Sequence, residues 1–270
     1  MSANPPGEPE PLAEGTLISH LLELRDRLLR SVIAVFIAFV PLAFFQNEMF
    51  TLIARPLIDK LPEGTSLIAT SVVAPFMAPL KLSLIGALFV AMPYVLYQVW
   101  AFIAPGLYKH ERRFALPLLL SSIVLFYTGV AFAYFVVFPL MFKFLASTTP
   151  VGVKMMTDIS SYLDFVLLLF FAFGVAFEVP VATVLLVATG MVKIETLKAN
   201  RGYVILGIFI VAAFLTPPDA VSQCFMAVPM YVLYEFGIVF ARFLVKDKLK
   251  TRAEADAEAA AENKAAHSGE

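Results

Sequence analysis

Cysteine is nearly missing from this 270-residue chain: Cys224 stands alone, so no internal disulfide can brace the fold. Histidine is almost as rare, and His20, His110 and His267 are too scattered in sequence to make a metal site with that thiol. No glycine-rich phosphate loop, no nucleophile with its base and no zinc-ligand spacing occurs. Catalysis therefore has no residue to stand on, and no cofactor is implied. Charge is also scarce, at 15% of residues. Residues 1–16 are rich in Pro and Glu and lack the basic start and apolar core of a secretory signal, so a retained, flexible N-terminus is expected.

What the chain has in excess is apolar surface. Apolar side chains make up 60% of it and the mean hydropathy is +0.84, more than one soluble domain can bury, so lipid is the expected solvent. A helix needs about 20 apolar residues to cross roughly 30 Å of hydrocarbon. Four runs reach that length, at 28–46, 77–104, 115–142 and 162–190. Two shorter runs, 203–215 and 221–241, follow a polar stretch and are separated by Thr216-Pro217-Pro218-Asp219. Residues 203–215 span only about 20 Å as a helix, and a re-entrant hairpin is the alternative to two short spans. Prolines at 41, 93, 117, 139, 180 and 229 predict kinks and a curved, concave bundle. The expected fold is thus an all-α integral membrane protein of six transmembrane helices, the last two short. Trp100, Tyr94, Tyr97, Tyr134 and Tyr162 are expected in aromatic belts.

Orientation follows from Lys and Arg, which stay on the cytoplasmic side when they flank a span. Fifteen of the 20 lie in the N-terminal segment, the second and fourth loops and the tail; Arg55, Lys60, Lys81, Lys143 and Lys154 lie on the other side. Both termini are therefore expected in the cytoplasm, with extracytoplasmic loops at 47–76 and 143–161. The expected organisation is a flexible segment 1–16, a membrane domain 17–245 and a charged tail 246–270 with no apolar face.

Three sites carry candidate chemistry. In Ser19-His20-Leu21-Leu22-Glu23-Leu24-Arg25-Asp26-Arg27-Leu28 the leucines share one helical face, while Glu23 and Arg27 lie four apart on another. This is either a paired, solvated lead-in or a cytoplasmic docking surface. In Phe102-Ile103-Ala104-Pro105-Gly106-Leu107-Tyr108-Lys109-His110-Glu111-Arg112-Arg113 a turn precedes five polar residues. Glu111 there either pairs locally or receives a partner's guanidinium. Glu178 sits inside the apolar run 165–180, where a carboxylate costs a few kcal/mol and usually faces a cavity or a polar partner. Gly174 is expected to leave room beside it, and Pro180 to free a backbone carbonyl. The plain alternative is a structural hydrogen bond to a neighbour such as Gln98.

These segments, with Tyr97-Gln98-Val99-Trp100-Ala101, Phe173-Gly174-Val175-Ala176-Phe177-Glu178-Val179-Pro180 and Leu215-Thr216-Pro217-Pro218-Asp219, give the chain its likeness to a known family. From about Leu17 to Lys246 it resembles TatC, the largest subunit of the twin-arginine protein translocase. The resemblance implies a receptor in the bacterial cytoplasmic (inner) membrane, binding signal peptides with paired arginines on folded cargo. It implies TatA-type and TatB-type single-span partners, homo-oligomers in the receptor complex, the proton-motive force as driver and no nucleic acid. By position, Glu23 and Glu111 are similar to the family's arginine-receiving carboxylates, with Arg25 and Phe102 beside them. Two carboxylates take guanidinium groups bidentately, which lysine's ammonium cannot reproduce. Glu178 is similar to the family's intramembrane glutamate, and Pro56, Asp219 and Gln98 to positions used in assembly and transport. Ser71 stands where relatives often carry an acidic residue, so no role resting on a charge there transfers. The two short final spans, five and six, would thin the lipid locally beside the crossing site.

Two other readings compete. A small-solute transporter also uses an intramembrane carboxylate and broken helices, but its halves should repeat, and here they do not. A scaffold without a recognition site predicts that Glu23 and Glu111 exchange freely for Gln.

Overall fold

The structure, a computed structural model, describes residues 14–58, 68–103, 112–148, 156–216 and 219–244. Among these residues all regular structure is helical. The amphipathic lead-in and the first apolar run form one 31-residue helix, α1 (Glu14–Phe44), since no Gly or β-turn signal separates them. The expected loop 47–76 is half helical: α2 (Gln46–Ile58) occupies it. Then come α3 (Ala74–Ile103), α4 (Arg112–Phe132), α5 (Phe138–Ser147), α6 (Ile159–Ala176), α7 (Val179–Ala188), α8 (Ile194–Ala199), α9 (Arg201–Leu215) and α10 (Ala220–Leu244).

Five stretches are long and apolar enough to span a bilayer: 18–44, 74–103, 116–145, 159–188 and 220–244. The last corrects the expectation of two short final spans, because α10 has 25 residues. Gln223, Glu235 and Arg242 interrupt its apolar run in sequence, but backbone hydrogen bonding carries the helix past polar side chains. Of the six expected spans only the fifth, α9 with 15 residues, is short, about 22 Å at the helical rise.

Two prolines reshape their spans. Pro139 has no N–H for the next intrahelical bond, and the turn before it widens to a π-segment, Ala133–Val137, in which the Phe138 N–H reaches Ala133 O. Pro180 stands in the first turn of α7, just after the break at Phe177-Glu178 that divides the fourth long span. Pro41, Pro93, Pro117 and Pro229 lie inside continuous helices.

The core is built where α3, α4, α5 and α6 meet, with Leu82, Phe138, Met141, Leu163 and Phe173 fully buried and Met226 of α10 closing one side. The helices approach closely where side chains are small. A Cβ on Gly129 would lie 2.5 Å from the Phe173 carbonyl oxygen, and one on Gly174 would lie 2.5 Å from the Phe126 ring. Burial also revises the aromatic belt. Tyr94 and Tyr97 are exposed, but Tyr162 and Trp100 are buried, the tyrosine donating to Ile53 O at 2.8 Å.

At the end of the bundle where α3 and α6 begin, the two intervening loops are joined. Ile68 N donates to Thr157 O and Ile159 N to Ile68 O, at 3.0 and 2.9 Å. Asp158 caps α6 by accepting from Ser161 N at 3.0 Å, and accepts from Thr70 N and Oγ1 at 3.2 and 2.8 Å. These donors, the Ser161 amide foremost, hold its carboxyl well below the usual carboxylate range.

Candidate functional site

At the opposite end, the start of α1 lies against the end of α3. Glu23 and Arg27 share a helical face one turn apart, and the ion pair allowed by that spacing forms: Arg27 Nε and Nη2 both donate to Glu23 Oε1, at 2.9 and 2.6 Å. Arg27 Nη1 also donates to Gln98 Oε1 on α3 at 3.3 Å. Gln98 is buried, so this contact fixes the guanidinium from the protein side. One turn further on, His20 stacks on Phe102 with ring centroids 4.3 Å apart. Glu23, Gln98 and Phe102 therefore belong to one cluster. Arg25 points elsewhere: it is exposed and pairs with Asp26 at 2.8 Å. Glu111 lies outside the described residues.

Gln98 thus serves Arg27, and among the described residues no hydrogen bond joins it to Glu178. Glu178 sits at the break between α6 and α7, with helical dihedrals and no side-chain capping bond. Its Oε1 is buried with no hydrogen-bond partner among the described residues. Ser122 of α4 faces this carboxyl without closing a bond that satisfies Oε1. The Ser122 hydroxyl, itself fully buried, accepts from Trp100 Nε1 at 3.1 Å. Reading along the sequence missed Ser122 and Trp100, because their partnership joins helices and leaves no local spacing. The space at Gly174 goes to the Phe126 ring rather than to the carboxylate.

The remaining candidates are dispersed. Asp219 begins α10 and accepts from Ser222 N at 2.7 Å, the bond of a helix N-cap, while its Oδ2 is buried without a partner among the described residues. Pro56 lies in α2. Ser71 is exposed just before α3, its carbonyl accepting from Ala74 N. Beside α9, Arg201 donates to Glu235 Oε2 at 2.6 Å and Tyr231 to Oε1 at 2.9 Å. This tie pins the first turn of the short helix to α10.

A helical membrane protein with one carboxylate clustered at a bundle end and another in a broken span has the layout that a membrane transport component would need. Comparison with known proteins makes the class specific. The family described as Sec-independent protein translocase protein (TatC) matches residues 19–229. The chain is 60% identical over 224 residues to the Sec-independent protein translocase protein TatC of Azotobacter chroococcum mcd 1, covering 83% of this chain and 88% of that protein. It is 56% identical over 229 residues to the TatC protein of Escherichia coli (strain K12), covering 85% and 89%. A solved structure described as the twin arginine translocase receptor TatC superposes with a TM-score of 0.76 at 39% identity, covering 83% of this chain and 98% of that one. The chain belongs to the TatC family. It is a subunit of the Sec-independent protein translocase, a membrane transport component and not an enzyme.

Proposed function

We infer that the protein is the receptor subunit of a twin-arginine translocase. It binds the paired arginines of a signal peptide on folded cargo where α1 begins and α3 ends, and works with TatA-type and TatB-type single-span partners on the proton-motive force. One observation carries the reading: Glu23 already accepts a guanidinium, from Arg27, beside the His20–Phe102 stack. A carboxylate arranged for one arginine side chain suits another, because the planar fork of donors is the same. Glu111 supplies the second carboxylate, with Arg25 and Phe102 flanking the peptide. The superposable solved protein is itself described as a receptor.

The basic residues favour both termini in the cytoplasm, with α9 counted as the fifth of six spans in a bacterial inner membrane. Glu178, whose Oε1 lacks a partner among the described residues, meets a polar group on a partner helix or on the inserted signal. Pro56, Asp219 and Gln98 serve assembly and transport, and several copies form the receptor complex.

Cross-linking in membranes tests the receptor reading. A photo-reactive signal peptide with Arg-Arg should label the protein, one with Lys-Lys should label it weakly, and Glu111→Gln should reduce Arg-Arg labelling. Equal labelling by the two peptides, or labelling unaffected by Glu111→Gln, sinks it.

A further inference from the structure

One charged pair in the spans belongs to neither candidate site. Lys81 of α3 and Asp164 of α6 form an ion pair. Lys81 is seven residues beyond the first residue of α3 and Asp164 five beyond that of α6, about 10 and 8 Å along the helix axes. Both spans have 30 residues, about 45 Å against roughly 30 Å of hydrocarbon, so centring them in a bilayer puts that depth near the boundary between headgroups and hydrocarbon. The pair is not enclosed: the two side chains are 54% and 51% exposed. It opens on a groove of about 500 Å3 walled by Ile85, Leu88, Leu167, Leu168 and Phe171. Leu168 and Phe171 also wall a second groove, of about 620 Å3, that reaches α9 and α10. An apolar trench therefore leads away from a dipolar head.

The pair faces outward rather than into the contact between α3 and α6. An ammonium has three donors and a carboxylate two acceptor oxygens, yet among the described residues the only side-chain hydrogen bond this pair makes is between Lys81 Nζ and Asp164 Oδ1. Both ends keep capacity for an outside group, and the pair is neutral overall.

We propose that Lys81, Asp164 and the trench below them bind one zwitterionic aminophospholipid, at the end of the bundle that carries the loops before α3 and α6. Lys81 takes the phosphate, Asp164 takes the primary ammonium, and the acyl chains lie against Leu88, Leu168 and Phe171. Charge complementarity selects the headgroup. An anionic glycerol headgroup brings nothing for Asp164 and sets its phosphate beside a carboxylate. A choline headgroup brings a cation that cannot donate a hydrogen bond.

Native mass spectrometry of the full chain tests this. The protein is incubated with equal amounts of phosphatidylethanolamine, phosphatidylglycerol and phosphatidylcholine of identical acyl chains. The unmodified protein should retain the ethanolamine lipid over each of the others by about five-fold, the scale of one charge-assisted hydrogen bond at an exposed site. Lys81→Arg should keep that order, Lys81→Gln should level it, and Asp164→Asn, leaving a lone cation, should favour the glycerol lipid. Equal retention of all three headgroups by the unmodified protein overturns the proposal, whatever the variants do. So does Asp164→Asn with the original order intact, because the pair then only joins two helices.

Discussion

Replacing Arg27 by Gln separates a carboxylate awaiting a guanidinium from an ion pair that is itself the recognised feature. Arg27 directs two N–H groups at Glu23 Oε1, and the side chains are 21% and 36% exposed. Under the proposed receptor function, a signal-peptide arginine approaching Glu23 would meet an occupied acceptor and a like charge. A partly exposed pair one turn apart on a helix contributes about 0.3–1 kcal/mol. Removing it should therefore tighten binding of an Arg-Arg peptide by about two- to five-fold. Glu23→Gln acts in the opposite direction. Losing a hydrogen bond to a charged group costs about 1.5–3 kcal/mol, so binding should weaken about ten- to hundred-fold. Fluorescence anisotropy of a labelled signal peptide, titrated with the protein in nanodiscs, reads both variants. Raising the salt should narrow the gap between them, since both effects are electrostatic at a solvated end of the bundle. If Arg27→Gln weakens binding as much as Glu23→Gln, Arg27 is part of what the peptide recognises and the competition argument is refuted.

Three further outcomes follow from the packing. Asp158 has a depressed folded-state pKa, so its stabilisation is fully present above the unfolded value of about 3.9 and fades only as pH falls through the folded value; hydrogen exchange at the Thr70 and Ser161 amides should show constant protection from about pH 5 to 8, and lose it in Asp158→Ala. Gly129→Ala drives a Cβ to 2.5 Å from the Phe173 carbonyl oxygen and should destabilise by about 1–3 kcal/mol, read as a lower melting temperature in detergent; Gly86→Ala meets only the flexible end of Met49 and the Leu42 side chain and should melt close to the parent. Inserting five leucines in α9 lengthens it by about 7.5 Å and should abolish transport while sparing signal binding, and normal transport would count against local thinning of the bilayer.

Long apolar runs were legible because hydrocarbon thickness sets one length for every span, whatever the neighbours. Their interruptions were only partly so. Pro139 and Pro180 both read as kinks, but one yields a π-segment and the other a break, a difference that the proline itself does not encode. The helix α2 was hidden because its sequence, Gln46–Ile58, is too short and polar to register as a span. The Glu23–Arg27 pair was visible as a spacing of four, whereas the attachment of Arg27 to Gln98 spans 71 positions and no local pattern encodes it. The same limit applies to Trp100, which in sequence looks like an interfacial aromatic and in the fold is a buried donor to Ser122.

Those two long-range contacts meet on one short stretch of α3. Gln98 and Trp100 are two residues apart, about 200° around the helix, and they serve opposite faces. Gln98 accepts from Arg27, which holds Glu23. Trp100 donates to Ser122, which faces Glu178. Neighbours of both carboxylates, Arg27 beside Glu23 and Ser122 beside Glu178, are thus contacted from the last turns of α3. Coupling between the two sites would require an element with two states that both sites bias. The break at Phe177-Glu178 is the natural place for one. There the helix is interrupted, Pro180 leaves the Ala176 carbonyl without its usual intrahelical donor, and Glu178 Oε1 has no partner among the described residues.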